Sequence, residues 1–178
     1  MKHKILDKRS LEDVTTLFTS VFTASEGEKE GKLIGTLASE LSSRIDNQEI
    51  ICLGTCENES LIGAIFFTPL RFNEDIQVYM LAPVAVSTGH QGKGVGQALI
   101  SFGLAELKKR AVDVVITYGD PSFYSRVGFE PLSEKVIKAP QKLSMPQGWL
   151  GQSLTTEPIP TINDRPGCVR EFDNPLYW

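Results

Sequence analysis

Leu81-Ala82-Pro83-Val84-Ala85-Val86-Ser87-Thr88-Gly89-His90-Gln91-Gly92-Lys93-Gly94-Val95-Gly96-Gln97-Ala98-Leu99 runs from an apolar extended stretch, through a short polar loop, into glycines that open an amphipathic helix. Glycine has no Cβ, so its backbone N–H can come close to a ligand. The start of a helix leaves its first amides unpaired, at the positive end of the dipole. Such a junction suits a diphosphate, and Lys93 adds a cation beside it. The candidate contacts are Gln91, Gly92, Lys93, Gly94, Val95 and Gly96.

Taken alone, the stretch admits three readings. A nucleotide-phosphate loop of the form G-x-x-x-x-G-K fails, because position 87 is Ser and Gly94 stands where Ser or Thr is required. A dinucleotide fingerprint needs G-x-G-x-x-G after an early strand, and here G-x-G-x-G follows the third of three strand-like runs. The third reading is a tight turn into a core helix.

Working outward, the sequence alternates helical and extended patterns. Ile5 and Leu6 suggest a short first strand. Ser10 then reads as an N-cap, with Asp13 as a partial capping box, ahead of Val14, Leu17, Phe18, Val21 and Phe22 at helical spacing. A second helix shows Leu33, Ile34, Leu37, Ala38 and Leu41, after an acidic connection from Ser25 to Gly31. Ile50 to Thr55 and Leu61 to Phe67 read as two strands of a hairpin turning through Glu57-Asn58-Glu59-Ser60. Ile76 to Val86 reads as a third strand, whose pairing Pro83 must interrupt.

Beyond the glycines, a helix ends in Lys108-Lys109-Arg110, and the β-branched run Val112 to Tyr118 reads as a buried parallel strand. Asp120-Pro121 caps and starts a short helix that Gly128 closes. Trp149 to Leu154 and Cys168 to Phe172 are trailing strand candidates.

The chain has 178 residues and a formal net charge of −4, with 41% hydrophobic and 22% charged residues. That length suits one α/β domain, 1–178. The acidic balance argues against sequence-independent nucleic-acid binding, which needs Lys and Arg to neutralise phosphates. No run approaches the ~20 apolar residues of a membrane span, and no apolar signal region opens the chain, so a cytoplasmic protein is expected. Cys52, Cys56 and Cys168 read as reduced thiols. His3 and His90 lack partners at ligand spacing, so no metal is expected.

Two motifs together resemble the GNAT superfamily of acyl-CoA-dependent N-acyltransferases. Gln91-Gly92-Lys93-Gly94-Val95-Gly96 matches its Q/R-x-x-G-x-G/A element, and Tyr124-Ser125-Arg126-Val127-Gly128-Phe129 matches the Y-x-x-x-G-F element about thirty residues downstream. Gly119-Asp120-Pro121-Ser122-Phe123-Tyr124 and Ser25-Glu26-Gly27 resemble a bacterial subgroup of largely unassigned substrate. The resemblance implies an α/β (α+β) fold with a mixed, mostly antiparallel sheet of about six to seven strands and helices on both faces. It also implies that acetyl-CoA is the cosubstrate.

In that family the fourth and fifth strands splay, and the pantetheine arm pairs with backbone freed near Val84, Ala85 and Val86. Tyr124 then corresponds to the tyrosine that protonates the departing thiolate. Asp120 is a candidate base whose rival role is helix N-cap, since Tyr79 to Val86 holds none of the family's usual carboxylates. Glu26, Glu28 and Glu30 are candidates for receiving a cationic acceptor, the rival being a solvated acidic loop. The expected reaction moves an acetyl group to a primary amine of a small molecule or peptide by direct attack. The alternative is a catalytically silent acyl-CoA-binding domain. The aromatic end Leu176-Tyr177-Trp178 could mediate a homodimer.

Overall fold

The computed structural model describes residues 1–178. Its strands are β1 (Lys2–Ile5), β2 (Ile51–Glu57), β3 (Ser60–Leu70), β4 (Val78–Val86), β5 (Val114–Tyr118), β6 (Glu130–Pro131) and β7 (Trp149–Ser153). Its helices are α1 (Leu11–Glu26), α2 (Glu28–Ser42), α3 (Val95–Lys109) and the short α4 (Pro121–Tyr124). The seven strands form one mixed sheet in the order β1-β2-β3-β4-β5-β7-β6. The chain divides into two compact units, one of residues 1–67 and 82–103, the other of 68–81 and 104–178.

In the first unit β1 and β2 run antiparallel, as do β2 and β3. Glu57 pairs with Ser60, so the hairpin turns on Asn58 and Glu59, both at positive φ (49° and 66°). That is the two-residue geometry whose twist matches the flanking strands. Val14, Phe18, Leu37, Ala38, Leu41, Leu53 and Phe66 are buried, with the Phe18 and Phe66 rings 5.8 Å apart. Each such side chain contributes about 1.5–3 kcal/mol through removal from water.

The ends of α1 and α2 differ from the sequence expectation. Ser10 precedes α1 but makes no side-chain cap, and Asp7 instead caps a 3₁₀ turn at Lys8–Ser10. The acidic connection expected over 25–31 shrinks to Gly27, whose φ of 97° breaks one helix and starts the next. The helices then pack closely, because a Cβ at Gly31 or Gly35 would run into the hydroxyls of Thr23 or Thr19. Cys52 is buried and Cys56, one residue from the end of β2, is half-buried.

In the second unit, Val78–Leu81 of β4 pair in parallel with Val114–Thr117 of β5. β7 lies antiparallel between β5 and the short β6. The strand expected at 168–172 is a 3₁₀ helix over Arg170–Phe172, opened by Val169. Val169 and Phe172 are both buried at a spacing of three, as a 3₁₀ turn requires. Trp178 is buried as well, and its Nε1 donates to the Phe172 carbonyl at 2.8 Å. The aromatic end is therefore largely spent inside its own unit, with Leu176 left exposed. No helix is long and apolar enough to cross a membrane.

Candidate functional site

The glycine-rich junction has the conformation its sequence implies. Gly92 and Gly94 adopt φ of 73° and 80°, a region that costs a residue with a Cβ roughly 1–2 kcal/mol. A Cβ at Gly89, Gly92 or Gly94 would meet nothing within 4 Å, so the backbone is open to an approaching group. The first α-helical bond at this end runs from the Ala98 amide to the Gly94 carbonyl at 3.0 Å. The amides of Gly92 to Gly96 consequently have no backbone acceptor, and the axis of α3 adds positive potential where they point.

Two side chains of the motif are engaged with the loop itself. Gln91 Nε2 donates to the Val86 carbonyl at 2.9 Å, stapling the loop to the end of β4. Lys93 Nζ donates to the Gly89 carbonyl at 2.8 Å, which keeps the ammonium beside the free amides. In β4, Val84 and Val86 are half-buried, while Pro83 and Ala85 are buried. The last β4–β5 rung is Leu81↔Thr117, so Val84, Ala85 and Val86 have no ladder partner on β5. The interruption expected at Pro83 therefore falls at the right place, although the strand itself continues through the cis Ala82–Pro83 bond to Val86.

The second unit holds Tyr124 at the end of α4. It is buried, with its ring edge-on to Phe123 and Phe129 at 5.0 Å and 5.8 Å. A Cβ at Gly119 would lie 2.7 Å from Tyr124 Cε2, so the absent side chain makes room for the phenol ring. Burial pushes the phenol up to about 12; the hydrogen bond with Thr117 opposes this and the charge of Asp120 adds to it. Thr117 was not singled out from sequence. The signal was a hydroxyl closing an otherwise aliphatic strand, Val114-Val115-Ile116-Thr117.

Asp120 takes the cap role. Its carboxylate accepts from the Ser122 amide at 2.9 Å and from the Ser122 hydroxyl at 2.8 Å. Those bonds, with the nearby Arg126 charge, hold its carboxyl below the usual range. A carboxylate satisfied in this way is a poor proton acceptor. Glu26 ends α1, and Glu28 and Glu30 occupy the first turn of α2, where their charges complement its dipole. Glu26 and Glu28 are exposed, and Glu30 is half-buried.

The donor set has the chemistry to fit the diphosphate of a coenzyme. The profile of the GNAT acetyltransferase domain matches residues 3–132, and the chain belongs to that family. It is 35% identical over 104 residues to the uncharacterized N-acetyltransferase YjhQ of Escherichia coli, across 55% of this chain and 58% of that protein. With YhbS of Escherichia coli it shares 37% identity over 79 residues, 44% of this chain and 47% of that one. The matches thus span about half the length of these relatives.

Among solved structures, YhbS in complex with CoA superimposes with a TM-score of 0.71 at 24% identity, covering 86% of this chain and 81% of that one. A GNAT family acetyltransferase from Brucella melitensis in complex with acetyl-CoA gives 0.68 at 20% identity, covering 97% of each chain. At those identities the likeness shows the fold.

Proposed function

We propose that residues 1–178 work as one acetyl-CoA-dependent N-acetyltransferase domain acting on a primary amine in the cytoplasm. The observation that carries this reading is the run of free amides from Gly92 to Gly96, opened by two glycines at positive φ. Bound there, the coenzyme supplies an acetyl group activated as a thioester.

The chain's own groups then have separate tasks. The amides of Gly92 to Gly96, with Lys93 beside them, hold the diphosphate by charge-assisted hydrogen bonds. The backbone of Val84, Ala85 and Val86 offers strand-like pairing to the pantetheine arm. The Val86 amide serves as donor to the thioester carbonyl, where negative charge grows during attack. Tyr124 keeps its proton at neutral pH because burial holds it neutral, so it can deliver that proton to the leaving thiolate.

A free alkyl amine is mostly protonated at pH 7 and must lose a proton before attack. Asp120 is committed to its cap, so water is the proton acceptor in this proposal. Glu26, Glu28 and Glu30 give the α1–α2 junction a negative field that favours a cationic acceptor. The thiol released from acetyl-CoA over a broad panel of amines tests the reading, with Gly94→Asp run beside the wild type. Release with at least one amine, lost in the variant, supports it. Tight acetyl-CoA binding without release from any amine would instead establish a silent coenzyme-binding domain.

A further inference from the structure

Three side chains around the glycine loop form a connected chain that the proposed reaction does not use. Ser87 follows the last residue of β4, His90 ends the 3₁₀ turn Thr88–His90, and Glu57 is the last residue of β2. Ser87 Oγ lies 2.7 Å from His90 Nδ1, and His90 Nε2 lies 3.0 Å from Glu57 Oε2. A carboxylate can only accept, so Nε2 carries the proton shared with Glu57. In a neutral ring Nδ1 is then the acceptor, and the Ser87 hydroxyl donates to it.

We propose that Glu57, His90 and Ser87 form a positioning clamp that sets the glycine loop in its diphosphate-binding conformation. The inference rests on the coenzyme reading above. Ser87 is already fixed by its amide, which donates to the Ile62 carbonyl at 2.8 Å, and the His90 amide donates to the Ser87 carbonyl at 2.8 Å. The imidazole adds a tie from this turn to the end of β2, one residue ahead of Gln91 and two ahead of Gly92. Without it the loop would have to be ordered when the coenzyme binds, and that entropy cost would appear as lost affinity. A group that orders the loop equally for ground and transition states changes KM and leaves kcat alone.

The test is calorimetric titration of CoA into the whole protein, paired with kcat and KM for acetyl-CoA. Variants are Glu57→Ala, Glu57→Gln, Ser87→Ala and Glu57→Ala with Ser87→Ala; Glu59→Gln, in the same turn, is the control. Each alanine variant is expected to weaken CoA roughly tenfold, the scale of one hydrogen bond to a charged group. The double variant should lose about as much as the worse single, because a chain broken once has little left to lose. Glu57→Gln keeps an accepting oxygen and should stay within about twofold of wild type.

Fully additive losses, unchanged affinity in the alanine variants, or a fall in kcat without a change in KM would each overturn the clamp. A wild type that does not bind CoA would overturn the coenzyme reading, and the clamp with it.

Discussion

Thr117 Oγ1 donates to the Leu81 carbonyl over 2.8 Å at the last rung that joins β4 to β5. The same residue acts on the Tyr124 phenol, where it partly offsets the rise in pKa that burial causes. The end of the ladder thus brings a buried hydroxyl to the ring that is proposed to deliver a proton.

Tyr124→Phe is expected to cut kcat at least about tenfold, within the usual range for loss of a general acid. Affinity for CoA should stay within about twofold, since Tyr124 is assigned to proton delivery alone. Steady-state kinetics together with CoA titration check both halves. An unchanged kcat across pH would remove the acid role.

Thr117→Val keeps the shape of a fully buried side chain but leaves the Leu81 carbonyl without its donor. A stability loss of about 1–3 kcal/mol is expected from urea unfolding. Thr117→Ser, which keeps the hydroxyl donor to the Leu81 carbonyl, should recover most of that stability.

The raised pKa of Tyr124 has a consequence for stability against pH. The folded value is pushed up to about 12 from the ordinary phenol value of 10.0, so the folded state holds the proton more tightly. Its contribution is complete below about pH 10 and is lost as pH rises through 12, at about 1.4 kcal/mol per unit. Wild type should therefore lose more stability than Tyr124→Phe between pH 9.5 and roughly pH 11.5, read from urea midpoints of the two proteins side by side.

Asp120 separates a cap from a base. Asp120→Asn retains an accepting oxygen for the Ser122 amide and should hold kcat within about twofold of wild type. Asp120→Ala should lower both the melting temperature and kcat. A collapse of activity in Asp120→Asn would return the base role to this carboxylate.

The order of most elements was legible because burial leaves its period in the sequence. Val14, Leu17, Phe18 and Val21 mark α1, and Val114 to Ile116 mark a strand buried on both faces. The glycine loop was legible for a different reason, since positive φ at Gly92 and Gly94 restricts residue choice. What stayed hidden depends on partners distant in sequence. The position of β7 between β5 and β6 is set by long-range pairing. The 3₁₀ turn at Arg170–Phe172 looked like a strand because Cys168, Val169 and Phe172 bracket only two charged residues, a pattern too short to fix its period. Likewise, Glu57 and His90 stand 33 residues apart, and only the return of the chain shows them to be partners.

A crystal structure of the protein grown with CoA is the most direct measurement of the diphosphate site. Diphosphate oxygens within about 3.2 Å of the Gly92, Gly94 and Gly96 amides are the expected result. Density for the coenzyme elsewhere, with those amides left to solvent, would contradict the account at its base.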